Sequence, residues 1–80
     1  MKDSKSLLQE IIQRDGSPPP VYLHDEPTGG DSDRVFHARV MSRGNELGRG
    51  DGRSRREAEM RAATEAIEAL EREGDDHGST

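Results

Sequence analysis

Leu7, Leu8, Ile11 and Ile12 fall at i, i+1, i+4 and i+5, a single apolar stripe at helical period, and Asp3 or Ser4 stands where an N-cap belongs. Ser6, Gln9, Glu10 and Gln13 share the other side of that first helix. Asp15-Gly16-Ser17 ends it. Pro18-Pro19-Pro20 then excludes helix and favours an extended lead into Val21-Tyr22-Leu23-His24, which reads as a strand. The segment from Glu26 to Asp33 is dense in turn residues and longer than a tight hairpin. From Val35 to Ser42 the pattern alternates, with Phe36, Ala38 and Val40 on one face and His37, Arg39 and Met41 on the other. Arg43-Gly44-Asn45-Glu46 makes the next turn, and Leu47 to Gly50 is a third, glycine-weakened strand. The glycines at 48, 50 and 52 read as a flexible approach to a second helix. Ser54 with Glu57 is a capping box that opens this helix. It runs to about Arg72, with Ala58, Ala62, Ala63, Ala66, Ile67 and Leu70 on its core face. Gly74 is its expected stop.

This order predicts an α+β fold, α-β-β-β-α: a three-stranded antiparallel sheet with two helices packed on one face. The expected core is Leu7, Leu8, Ile11, Ile12, Val21, Leu23, Phe36, Val40, Ala62, Ala66, Ile67 and Leu70. Eighty residues allow one small domain. It is expected to occupy residues 1–73, with 74–80 as a disordered acidic tail.

Charge changes the picture more than composition does. The net charge of −5 is unpromising for a partner of nucleic acids, yet it is unevenly spread. Residues 1–33 hold three Lys/Arg against seven Asp/Glu, residues 34–61 hold eight against four, and residues 62–80 hold one against six. The middle of the chain is basic inside an acidic whole, and local potential is what steers a polyanion. With Tyr22 and Phe36 the only aromatic residues, a base-stacking platform for single strands is disfavoured. There is no cysteine, so disulfides and thiolate metal sites are excluded. No apolar run reaches the length of a membrane span or a signal-peptide core. A cytoplasmic setting is the default expectation.

Catalytic signatures are missing. There is no H-E-x-x-H, no G-x-S-x-G and no phosphate-cradling Walker pattern. Ser54 has no evident base and is used as a cap. His24 and His37 could meet across a hairpin, but no third metal ligand is evident, and a pair of surface histidines is the simpler reading. The second helix, by contrast, breaks a local rule. Arg55 and Arg56 sit in its first turn, where the helix dipole is already positive and each cation costs about 0.3–1 kcal/mol. Helix dipole, free backbone N–H groups and two guanidinium forks at one point favour an anion, phosphate above all. The bland reading is a solvated, arginine-rich helix end with no ligand. On the first helix the row Ser6, Gln9, Glu10 and Gln13 is neutral apart from Glu10. An ordinary wet face explains it, and so does hydrogen bonding to hydroxyls such as those in the shallow minor groove of A-form RNA. Arginine forks suit phosphates.

Several spaced motifs, in order, carry a resemblance: Lys5-Ser6-x-Leu8-Gln9-Glu10, Pro20-x-Tyr22 with Glu26, Phe36 with Val40, Gly48-x-Gly50, and Ser54-Arg55-Arg56-x-Ala58 running into Ala62-Ala63. Over residues 2–72 the chain resembles a double-stranded-RNA-binding domain, most like the C-terminal domain of bacterial ribonuclease III. The resemblance implies shape-selective, largely sequence-independent binding of double-stranded RNA. Ser6, Gln9, Glu10 and Gln13 would meet one minor groove, the loop at Gly30, Asp31 and Ser32 the next, and Arg53, Ser54, Arg55 and Arg56 the intervening major-groove phosphates. It implies no cofactor, membrane or small-molecule substrate for this chain. The domain is expected to be monomeric; cleavage would belong to a parent nuclease domain using Mg2+, whose homodimerisation is left open. Two departures stand out. Gly29-Gly30-Asp31-Ser32 lacks the histidine usual in the family's loop, and Glu59 stands where many members carry a third lysine, a lost phosphate contact unless Arg61 projects to the same side. A protein-interaction or dimerisation module with the same fold and weak or no RNA binding is the alternative.

Overall fold

The structure, a computed structural model, describes the backbone of residues 2–78 and the side chains of residues 2–73. Five elements come in the expected order: α1 (Ser4–Gln13), β1 (Val21–Thr28), β2 (Val35–Ser42), β3 (Asn45–Gly52) and α2 (Arg55–Gly78). The strands form one antiparallel sheet in the order β1-β2-β3. α2 lies across β3 and β2, and α1 packs chiefly on α2, so the sheet keeps one open face.

Asp3 is the N-cap of α1, its Oδ1 accepting from the Ser6 N–H at 2.8 Å. After α1 the chain turns at Gly16, which takes a positive φ of 86°. The Asp15 carboxylate then accepts from both the N–H and the hydroxyl of Ser17, at 3.1 and 2.6 Å, which lets that serine be buried. β1 runs past the expected turn at Glu26 to Thr28. Its pairing with β2 slips between Asp25 and Thr28, where Pro27 cannot donate to the ladder. β2 and β3 are joined by a tighter turn than expected. Ser42 pairs with Asn45, leaving only Arg43 and Gly44, at φ 52° and 81°, the positive-φ pair that two-residue hairpins require.

The core differs from expectation in β1. Leu8, Ile12, Ala38, Val40, Ala58, Ala62, Ala63 and Ala66 are buried, with Tyr22, Phe36, Leu47, Ile67 and Leu70 packed around them. Leu7, Val21 and Leu23 are exposed, Val21 at 57%, and Ile11 is half-buried. The parity of β1 is the reverse of the apolar reading. Tyr22 and His24 face the helices, and Val21 and Leu23 lie on the open side. Their amphipathic character explains the choice, because Tyr22 and His24 meet charged partners on α1 and α2 that a valine or leucine could not use.

β3 is longer than its expected four residues, and its glycines are packing positions rather than a flexible approach. A Cβ at Gly48 would lie 2.7 Å from the carbonyl oxygen of Ala62. At Gly50 it would lie 2.4 Å from the Ala62 nitrogen, and at Gly52 2.7 Å from Glu57 Cβ. Glycine on the strand and alanine on the helix let two backbones meet with no side chain between them, at the close-packed density of protein interiors. α2 carries on through Gly74 to Gly78. Glycine ends a helix only when it turns left-handed, and in a helix interior it merely costs about 1 kcal/mol relative to alanine. The expected disordered tail over residues 74–80 lies outside the residues whose side chains are described.

Candidate nucleic-acid interface

Leaving β3 at Gly52, the chain reaches Ser54, whose Oγ accepts from the Glu57 N–H at 3.1 Å while its carbonyl accepts from Ala58 at 3.0 Å. Glu57 reaches back to the Arg53 N–H at 2.9 Å. The capping box therefore forms, with its carboxylate one residue earlier than the usual reciprocal bond. Glu57 is the only acidic residue of the first turn. It partly offsets the dipole that Arg55 and Arg56 oppose. Arg53, Arg55 and Arg56 are exposed, and among the described residues none of their guanidinium groups has a carboxylate within 4.0 Å. Three guanidinium forks are thus free at the mouth of α2.

On α1, Ser6, Gln9, Glu10 and Gln13 are all exposed, opposite the buried Leu8 and Ile12. Glu10 is ion-paired with Lys2, which leaves the row close to neutral. The β1–β2 loop is shaped by Gly29 at φ 87°, where a Cβ would meet the Asp33 carbonyl at 2.3 Å, and by a turn in which Asp33 N–H donates to Gly30 at 3.2 Å. Asp31 is fully exposed, 3.7 Å from Arg34. Thr28 pairs with Val35, and Phe36 with Gly52. Gly30, Asp31 and Ser32 therefore lie at the end of the sheet from which α2 starts.

The two helix starts are tied together. Hydrogen bonds from the Ser6 backbone and side chain hold the Asp3 carboxyl below its usual range, and the nearby charges of Arg56 and Lys5 add to this; Arg56 is therefore within electrostatic reach of the α1 cap. Ser4 Oγ lies 2.7 Å from Thr64 Oγ1. Lys5 pairs with Glu59, and the other Glu59 oxygen lies 2.5 Å from His24 Nε2. The Lys5 ammonium sits 4.8 Å above the Tyr22 ring, an arrangement favoured by the ring quadrupole. Burial, together with the charges of Glu59 and Asp3, pushes the Tyr22 hydroxyl up to about 12. Burial also raises the Glu59 pKa, but hydrogen bonds and charge from Lys5 and His24 outweigh it and hold the carboxyl below its ordinary 4.5.

Lys5, Tyr22, His24 and Glu59 form a cluster that reading by element missed. The available signal was a tyrosine and a histidine two apart, hence on one face of a strand, with an acid in the facing helix. Arg61 does not replace a cation at Glu59. Two residues on, it points the other way, donating to the Asp51 carbonyl at 3.2 Å and lying 3.9 Å from Glu57. His24 and His37 face opposite sides of the sheet. His37 Nδ1 lies 2.6 Å from Asp51 Oδ1 and its Nε2 lies 2.9 Å from Thr28 Oγ1, so the two rings cannot share an ion. Among the described residues no group of three or more His, Asp or Glu side chains could hold a metal, and no helix is long and apolar enough to cross a membrane.

Residues 4–70 match the family described as double-stranded RNA binding motif. Ribonuclease 3 of Borreliella burgdorferi is 44% identical over 70 residues, covering 88% of this chain and 29% of that protein. Ribonuclease 3 of Geobacillus thermodenitrificans is 50% identical over 68 residues, covering 85% and 28%. The chain thus spans under a third of the length of these relatives. Among solved structures, Dicer from Pichia stipitis aligns with a TM-score of 0.67 at 31% identity over 81% of this chain and 31% of that one. The second double-stranded-RNA-binding domain of DRB4 aligns with a TM-score of 0.65 at 30% identity over 88% and 97%.

Proposed function

The chain belongs to the double-stranded RNA binding motif family, and we propose on that premise a division of labour among its surfaces on one A-form duplex. Arg53, Arg55 and Arg56, with Ser54 as cap, bridge phosphates across the narrow major groove. Ser6, Gln9, Glu10 and Gln13 lie along one minor groove, and the backbone of Gly30, Asp31 and Ser32 meets the next. Neutral groups suit 2′-hydroxyls and guanidinium forks suit phosphates, so the protein reads shape and not sequence. What supports this reading is a set of three arginines whose guanidinium groups have no carboxylate in reach among the described residues, at the start of a helix whose next turns are joined to the first turn of α1 through Lys5 and Ser4. In the full-length protein this domain is the RNA-binding arm of a ribonuclease 3-type endoribonuclease of the bacterial cytoplasm, and cleavage with Mg2+ is the work of a separate nuclease domain.

The alternative, a protein-interaction or dimerisation module, finds no support for strand addition along β3. Two groups of that edge are taken: the Arg49 N–H donates to Glu65 at 2.7 Å and the Asp51 carbonyl accepts from Arg61, which removes ladder groups that strand addition needs. Titration with an RNA duplex of about 16 base pairs, a DNA duplex of the same sequence and the single strands tests the proposal. Binding of the RNA duplex over the others is expected, with a log–log salt slope of about −3 to −4 for three or four phosphate contacts. Equal affinity for all three, or a tight dimer indifferent to RNA in sedimentation, would overturn it.

A further inference from the structure

Glu59 lies one helical turn beyond Arg55 and Arg56 and presents a carboxylate on the side of α2 that faces α1. Simple electrostatics makes it a defect in a phosphate-binding surface. Its surroundings argue otherwise. The side chain is only 19% exposed. One oxygen is held by Lys5 of α1 and the other by His24 of β1, while Lys5 is seated on the Tyr22 ring. Three elements meet at this carboxylate.

α1 needs such a tie. It packs mainly on α2, and the polar contacts between the two helices come from adjacent residues of its first turn, Ser4 to Thr64 and Lys5 to Glu59. Gln9 comes four residues after Lys5, so it stands directly above it on the same helical row. Where Lys5 is fixed, the line of Gln9 and Gln13 is fixed too.

We propose that Glu59 is a positioning residue that sets the separation between the neutral row of α1 and the arginines of α2, and so matches the protein to the groove spacing of A-form RNA over B-form DNA. This rests on the duplex-RNA reading above. It inverts the electrostatic expectation for one substitution: a lysine at this position adds a cation beside the arginines, yet it weakens selective binding because it repels Lys5 and releases α1.

The test uses the whole chain with RNA and DNA duplexes of one sequence, at a temperature where circular dichroism shows every variant folded. Glu59→Lys is expected to lose about tenfold in RNA affinity and to narrow the RNA-over-DNA preference, with no steeper salt dependence. Glu59→Gln, close to isosteric and milder if the lysine variant fails to fold, is expected to move both quantities the same way by a few fold. The swap Lys5→Glu with Glu59→Lys restores the α1–α2 ion pair, without the cation over Tyr22 or the bond to His24, and is expected to regain part of the preference, which a general loss of stability would not do. Tighter RNA binding by Glu59→Lys, with a salt slope steeper by about one, would overturn the proposal, as would an unchanged preference in Glu59→Gln or a swap that regains nothing. A wild-type chain that does not prefer RNA duplex would fail the underlying reading, and that result is visible before any variant is compared.

Discussion

Two populations of arginine occupy two regions of this small domain. On the open face of the sheet every arginine is answered. Arg39 reaches Asp25 at 3.1 Å and Glu46 at 4.0 Å, and Arg49 grips Glu46 through two bonds of 3.0 and 2.9 Å. The hydrogen bond and charge of Arg49 hold the Glu46 carboxyl below its usual range. At the mouth of α2, the guanidinium groups of Arg53, Arg55 and Arg56 have no carboxylate in reach among the described residues. The same side chain thus stands in two states in one chain, paired and unpaired, and what separates them is the neighbourhood, not the sequence position. Where the fold supplies the counter-charge, arginine ties strands together. Where it withholds the counter-charge at the start of α2, the guanidinium forks stay unpaired, and the proposed duplex contact draws on them.

Charge reversal at the free group should give the largest effect. Arg55→Glu with Arg56→Glu is expected to lower duplex-RNA affinity by about a hundredfold or more and to reduce the salt slope by about two, while the melting temperature rises, because two anions replace two cations at the positive end of the helix dipole. Retained affinity would end the distinction between free and paired arginines. The neutral row sharpens it from the other side. Gln9→Ala with Glu10→Ala should weaken binding by about three- to tenfold, the worth of one or two net hydrogen bonds, with the salt slope nearly constant; a large change of slope would place those residues at phosphates instead. The paired group should behave oppositely. Arg39→Met keeps the packed stem and is expected to cost about 1 kcal/mol of stability in urea unfolding while duplex-RNA affinity stays as it was.

The smallest effect is in pH. The Glu59 carboxyl titrates below its ordinary 4.5 in the folded chain, so as pH falls the unfolded chain takes up that proton first. The stability its pairing contributes is complete above about pH 4.5 and fades as pH drops through the folded value. Asp3, Asp15 and Glu46 are shifted in the same direction and add to the decline. Melting curves from pH 6 to pH 3 should therefore fall, and Glu59→Gln should fall less steeply than wild type.

The periodic segments were legible from the residues alone. Leu8 and Ile12, the alternation of β2 and the alanine face of α2 lie where their spacing puts them, because each buries one continuous apolar stripe. The Ser54–Glu57 cap was legible because its chemistry is local. β1 was not, since the inward positions are Tyr22 and His24 and the outward ones Val21 and Leu23; hydrophobicity gives the wrong parity when the buried side is completed by ions from α1 and α2. The glycines of β3 misled for a related reason. Their role is set by how closely a helix later in the chain approaches, and no pattern within the strand records that. Glu59 read as a missing cation because its partners, Lys5 and His24, are 54 and 35 residues away.

The sealing of the β3 edge by Glu65 and Arg61 has a consequence for crowding. On the reading proposed above, a protein that recognises shape without sequence has overlapping sites all along a long duplex, where its molecules would stand in a row. Bare sheet borders in such a row would invite neighbours to zip into a continuous ribbon. With two groups of this border already taken by the protein's own last helix, an unbroken ladder along β3 is closed to such neighbours.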